Sequence, residues 1–214
     1  MTIWGVFWGV VGGRLYHVIT SWSELPEEWW GFAAVWKGGL GIWGAIAGGV
    51  LAGAVVAKRA GADVMLGMDM AAPGLILAQA IGRLGNWFNQ ELYGKPSDLP
   101  WALKIDREHR PEAYADTATF HPTFLYELLW NLVVLAVLLA VGRRLALRPP
   151  ALFWLYVALY TFGRFFMELL RVDPAHEIGG LRLNAWVSIL VFLAASALFV
   201  RLRRQGGEGA LRVE

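Results

Sequence analysis

Apolar residues gather in six long runs along the chain, at about 3–19, 40–57, 65–88, 122–141, 151–170 and 185–200. Each is close to the roughly 17–25 residues that a helix needs to cross a bilayer core. The pattern predicts an all-α polytopic membrane helical bundle of about six transmembrane helices, forming one integral membrane domain over 1–214. The longest polar break, about 90–120, contains Pro96, Pro100 and Pro111 together with Trp101 and Tyr114. Aromatic residues among so many turn formers predict a small structured arm outside the membrane rather than a loose loop.

Composition sharpens this reading. The chain is 57% hydrophobic and 17% charged, against about 25% charged in soluble domains, and its mean hydropathy is +0.47. It has no cysteine, which excludes disulfides and a protein thiol nucleophile. The net charge of +2 is small, and the basic residues sit beside apolar runs, which indicates membrane orientation rather than nucleic-acid binding. Lys58-Arg59, Arg143-Arg144 with Arg148, and Arg201 with Arg203-Arg204 mark alternate exits. The positive-inside rule makes that side cytoplasmic and puts both termini there. The arm and 172–184 then lie outside.

Glycines punctuate the first runs. Gly44 and Gly48, and Gly49 and Gly53, have the small-xxx-small spacing of closely packed helices. Within the apolar runs three arginines each follow a glycine: Arg14, Arg83 and Arg164. A guanidinium is a fork of donors that suits a phosphate, and near the outer leaflet that phosphate would belong to a lipid headgroup. Interfacial snorkelling or an internal ion pair is the alternative, chiefly for Arg14. Arg164, Glu168 and Arg171 share one helical face, as do Arg83 and Asn86, so Glu168 is expected to pair with an arginine. His121-Pro122 opens the fourth run, with Tyr126 and Glu127 at its outer boundary; His121 is a candidate cap. No metal-ligand spacing or nucleotide motif is present, and no cofactor is expected.

The densest polar stretch is Gly82-Arg83-x-Gly85-Asn86-x-x-Asn89-x-Glu91-x-x-Gly94. It resembles the signature of the prolipoprotein diacylglyceryl transferase family. The segments Gly12-Gly13-Arg14, His121-Pro122-x-x-Leu125-Tyr126-Glu127, and Arg164 with Glu168 and Arg171 resemble it too. Residues 38–46 resemble the actinobacterial form, and the likeness covers nearly the whole chain. The chain departs from the family in two ways. It begins at what would be the family's second span, without the tyrosine of the first. It also has Trp43 where many members have histidine, so the thiol-activating base is open among Glu91, His17 and His121, unless the arginine cluster alone lowers the thiol's pKa.

The resemblance implies a bacterial cytoplasmic-membrane enzyme that moves the diacylglyceryl group of phosphatidylglycerol onto the lipobox cysteine of a prolipoprotein signal peptide. Glycerol phosphate would be released. It implies catalytic roles for Arg83, Arg164, Asn86 and Glu91, and substrate binding by Arg83, Arg14, Asn89, Gly94, Glu168 and Tyr126. Intramembrane charges and glycine-interrupted helices also fit a small transporter or channel. An inactive structural membrane fragment is the other alternative.

Overall fold

The computed structural model describes residues 2–20, 30–35, 41–172 and 177–210. Six helices account for the six apolar runs. They are α1 (Thr2–Thr20), α2 (Ile42–Arg59), α3 (Val64–Asn89), α4 (Thr123–Arg144), α5 (Ala151–Leu170) and α6 (Leu183–Ala210). Of these, α3, α4, α5 and α6 are long and apolar enough to cross a membrane. In α1 the glycines and tryptophans, with Arg14 and His17, dilute the apolar character. Helix α6 runs well past the expected residue 200.

The chain forms two compact units, Met1–Gly67 and Met68–Glu214. In the first, α1 and α2 meet through their glycines. A Cβ on Gly48 would lie 3.3 Å from Gly12 Cα, and one on Gly12 or Gly44 would run into the other's carbonyl. The spacing of Gly44 and Gly48 therefore has a steric cause: two backbones approach where no side chain fits. The Gly41 amide also donates to the Gly13 carbonyl at 2.8 Å.

Helix α3 starts where Asp63 Oδ1 accepts from the amides of Met65 (2.8 Å) and Leu66 (3.3 Å), satisfying donors that a helix start leaves unpaired. In the second unit α3 and α5 run in the same direction and α4 opposes them. Asp69, buried in α3, accepts from the Phe153 amide in the first turn of α5 at 2.8 Å. A carboxylate on one helix thus caps the positive end of another. Further along, Tyr156 of α5 donates to Gln79 of α3 at 3.2 Å. Ala72, Ile76, Val134, Leu138 and Tyr156 make the apolar core between these helices. Outward-facing Met70, Phe88 and Leu190 are largely exposed, as they would be toward lipid.

Between α3 and α4 the arm is ordered. Strand β1 (Leu103–Lys104) pairs antiparallel with β2 (Thr119–Phe120), Leu103 opposite Phe120. Tyr93, Ile105 and Phe120 form its core, with the Tyr93 and Phe120 rings 4.8 Å apart. Burial pushes the Tyr93 phenol above its usual pKa, partly opposed by the Arg110 guanidinium. Between α5 and α6, β3 (Glu177–Ile178) and β4 (Leu181–Arg182) form a hairpin. Its turn residues Gly179 and Gly180 have φ of 60° and 79°, a left-handed pair that only glycine adopts cheaply.

One local expectation differs. Pro122 is the residue before α4, and His121 does not cap the helix. The His121 Nδ1 instead lies 3.1 Å from the Tyr126 hydroxyl.

Candidate active site

The signature stretch sits at the end of α3. Arg83 Nη1 donates to Asn86 Oδ1 at 3.2 Å. Asn86 Nδ2 and Asn89 Nδ2 both donate to Glu91 Oε1, at 2.9 and 3.0 Å. The helical spacing of Arg83 and Asn86 accounts for the first contact. The others require the chain to turn back at 90–92, which brings Glu91 over the helix end.

Glu127 of α4 is the junction between this group and α5. Its Oε1 is 2.8 Å from Arg83 Nη2, and its Oε2 is 3.3 Å from Arg164 Nη1. The first contact is an ion pair out of line for a hydrogen bond, since Glu127 Oε1 and Arg83 Nε are both buried without a hydrogen-bond partner among the described residues. The Arg83 side chain also donates to the Tyr160 hydroxyl oxygen. One turn beyond Glu127, Asn131 continues the polar stripe and is fully buried.

Glu168 is the second hub, with a side chain wholly enclosed. Its Oε2 pairs with Arg164 Nη2 at 2.8 Å and lies 3.8 Å from Arg171 Nη1. Its Oε1 is 2.9 Å from Arg182 Nε and accepts from Asn184 Nδ2 at 3.4 Å. The expected pairing of Glu168 with its own helix is present. Arg182, which the β3–β4 hairpin delivers, was not expected. Four guanidinium groups thus surround two enclosed carboxylates. An enclosed carboxylate is tolerated only when its charge and lone pairs are met, and the arginines here serve that need.

Glycines beside the arginines act differently. At Gly163 the indole of Trp130 fills the space a Cβ would take, and Trp130 Nε1 donates to the Leu159 carbonyl at 2.9 Å. At Gly82 a Cβ would meet nothing within 4 Å among the described residues, so they leave the flank of α3 next to Arg83 open. Gly94 is enclosed: its Cβ would lie 2.7 Å from Thr123 Cγ2 and 3.0 Å from the Leu170 carbonyl. Its amide donates to the His121 carbonyl at 2.8 Å, and it bridges to Arg171. Gly94 therefore ties the arm to the ends of α4 and α5.

The chain matches the family model for prolipoprotein diacylglyceryl transferase over residues 1–201. It belongs to that family. Among its relatives, a phosphatidylglycerol–prolipoprotein diacylglyceryl transferase of Frankia alni is 54% identical over 208 residues, covering 94% of this chain and 54% of the relative. One of Cutibacterium acnes is 52% identical, covering 94% of this chain and 69% of the relative. A second enzyme of Streptomyces coelicolor is 51% identical, covering all of this chain and 69% of the relative. The chain thus spans from about half to about two thirds of the length of these relatives. Family membership and the apolar helices together make it a multi-pass membrane protein.

The matched stretch contains every residue of the arginine–glutamate network. Of the site residues expected from sequence, Arg83, Asn86, Asn89, Glu91, Arg164 and Glu168 form one connected set. Tyr126 stands beside it: its hydroxyl takes the Trp101 indole N–H at 2.8 Å and faces His121. Arg14 belongs to the first unit, where its Nε donates to the Phe32 carbonyl at 2.9 Å. His17 lies in the last turn of α1. Trp43 falls within α2, with its side chain outside the described residues. Residues 38–40 of the actinobacterial-like segment also lie outside them. Sequence reasoning missed Glu127 as the junction and Arg182 altogether. The signal available for Glu127 was a carboxylate entering a span, which is costly in hydrocarbon unless paired.

Proposed function

We propose that this chain carries the activity named for its relatives: transfer of the diacylglyceryl group from phosphatidylglycerol to the lipobox cysteine of a prolipoprotein signal peptide. The observation that carries this reading is the Arg83–Glu127–Arg164 cluster, whose Arg83 Nε is buried without a hydrogen-bond partner among the described residues. Such a donor calls for an acceptor, and a phosphate oxygen beside the open flank at Gly82 is a suitable one.

In the proposed reaction the cysteine sulfur attacks the glyceryl carbon that bears the phosphate ester. A carbon–sulfur bond forms, and the carbon–oxygen bond breaks. The bonding electrons leave with the phosphate oxygen, so glycerol phosphate departs. Arg83 and Arg164 stabilise the charge that develops on that oxygen; donors set in place beforehand are the usual largest contribution to such a step. The thiol proton passes to solvent. A free cysteine has a pKa of about 8.5, and neighbouring cations raise the thiolate fraction at neutral pH. No histidine is required in this scheme, and Trp43 cannot accept a proton. Asn86, Asn89 and Glu91 orient the Arg83 fork and the headgroup hydroxyls. Glu168 fixes Arg164, while Gly94 and Tyr126 shape the outer wall. Arg14 is proposed as a substrate-binding residue. The membrane is proposed to be the bacterial cytoplasmic membrane, with both termini inside and one domain over 1–214.

The test is transfer from phosphatidylglycerol to a synthetic lipobox peptide by the purified protein. Arg83→Ala should abolish transfer while the protein still folds. Arg83→Lys should rescue poorly, because lysine keeps the charge and loses the fork. Near-parental turnover by Arg83→Ala overturns the phosphate assignment. A pH–rate profile in which His17→Gln or His121→Gln is inactive yet folded overturns the histidine-free scheme.

A further inference from the structure

Helix α3 ends in a Schellman arrangement. The Gln90 amide donates to the Trp87 carbonyl at 3.3 Å and the Glu91 amide to the Asn86 carbonyl at 3.1 Å. The residue after the helix in this motif takes a left-handed conformation and is usually glycine. Here it is Gln90, with φ of 50°, and Leu92 is left-handed too, at 54°. Each such residue costs roughly 1–2 kcal/mol. Two strained residues therefore flank Glu91, and a glutamine stands where backbone chemistry favours glycine.

The Gln90 side chain shows what offsets this. Its Oε1 accepts from the Asp106 amide and its Nε2 donates to Asp106 Oδ2, both at 2.7 Å. Asp106 follows Ile105, which is buried in the arm's core. On the other side of Glu91, the Leu92 carbonyl accepts from Thr123 Oγ1 at 2.6 Å, in the first turn of α4. The backbone at Glu91 is thus held from the arm and from α4. Its carboxylate then holds Asn86 and Asn89, and Asn86 holds Arg83.

We propose that Gln90 and Asp106 are positioning residues of the active site. Their paired hydrogen bonds lock the helix end in the strained conformation that sets Glu91, and through Asn86 they orient the Arg83 guanidinium. The arm is thereby a working part of the site rather than a surface ornament. This rests on the functional reading above for its catalytic consequence, but not for the clamp itself.

The experiment compares Gln90→Gly, Asp106→Ala, Asp106→Asn and the double variant Gln90→Gly/Asp106→Ala with the parent, in detergent with phosphatidylglycerol and the lipobox peptide. Glycine relieves the left-handed strain, so Gln90→Gly should melt no lower than the parent. Its kcat should nevertheless fall on the order of tenfold or more, the scale set by a small misplacement of a catalytic group. Asp106→Ala should show the same loss, Asp106→Asn should recover most of it, and the double variant should be no worse than either single one. A purely structural clamp would instead lower melting temperature and kcat together. Hydrogen exchange at the amides of 90–92 should quicken in Asp106→Ala whatever the enzyme's activity. Parental kcat in Gln90→Gly, or unchanged exchange in Asp106→Ala, overturns the proposal. An inactive parent with quickened exchange in Asp106→Ala would leave the clamp standing and reject the transferase reading instead.

Discussion

Two glutamates, not the arginines, determine how the cluster is built. Glu127 is 6% exposed at its side chain and divides its two oxygens between Arg83 and Arg164. Without it, two guanidinium groups would face each other across an apolar interior. Removing one partner of a buried ion pair costs about 3–5 kcal/mol. Glu127→Ala should therefore lower the melting temperature in detergent more than Arg83→Ala does, and abolish transfer. Equal stability of the two variants would show that the arginines do not depend on Glu127. Glu168 works at one remove from Arg83. Its loss should misplace Arg164, so Arg164→Ala/Glu168→Gln should be little worse in turnover than the worse single variant, as expected for residues acting as a unit. Arg83, Asn86, Asn89 and Glu91 were legible because they lie within one short stretch, where helical spacing and the helix end bring them together. Glu127 with Arg83, and Glu168 with Arg182, join distant elements. No periodicity within one helix reports which neighbour a carboxylate will meet.

At the scale of elements, the second unit depends on a few places where a backbone must pass close to another part of the chain. At Gly163 the Trp130 indole occupies the position of a side chain. Gly163→Ala should destabilise by about 1–3 kcal/mol, the usual cost of overpacking, and break the Trp130–Leu159 bond. Adding Trp130→Leu should recover part of the loss, read as melting temperature. A neighbouring helix takes the space beside the arginine at Gly163, whereas no described residue does at Gly82. The arm supplies a pH dependence. Tyr93 is buried, donates to the His109 carbonyl at 2.5 Å, and has its pKa raised above 10.0 by burial. Its contribution is fully present below about pH 10, the unfolded value, and fades as pH rises through the folded one. Tyr93→Phe should melt below the parent at pH 8, and the gap should narrow above pH 10. A constant gap would mean that the phenol proton plays no part. The arm's extent, from the end of α3 to the start of α4, was legible in its prolines and aromatics. The Gln90 turn was not, because sequence rules favour glycine there and the compensating Asp106 lies across the arm.

At the largest scale, the second unit has two chemically distinct ends. Arg83, Glu91, Glu127, Arg164, Glu168 and Arg182 gather at one end of its helices, together with the arm and the β3–β4 hairpin. Arg143, Arg144, Arg148, Arg201, Arg203 and Arg204 gather at the other, where Arg148 Nη1 donates to Gln205 Oε1 at 3.1 Å. The segregation has a physical consequence. Arginines paired with enclosed carboxylates and amides are part of the protein's interior. Solvent-facing arginines that flank apolar helices are the kind that hold a membrane protein's orientation. The second end should accordingly face the cytoplasm and the arm the outside. The chain has no cysteine, so a single introduced thiol reports its own side of the membrane without background. Glu108, in the arm, has a side chain 81% exposed, and Arg203 is exposed near the end of α6. Neither belongs to the arginine–glutamate network, so Glu108→Cys and Arg203→Cys should both leave the fold intact. In intact cells a membrane-impermeant maleimide should label Glu108→Cys fully. It should label Arg203→Cys only after the membrane is permeabilised. Labelling of Arg203→Cys in intact cells, with Glu108→Cys protected, would invert the orientation and place the arginine cluster on the cytoplasmic side.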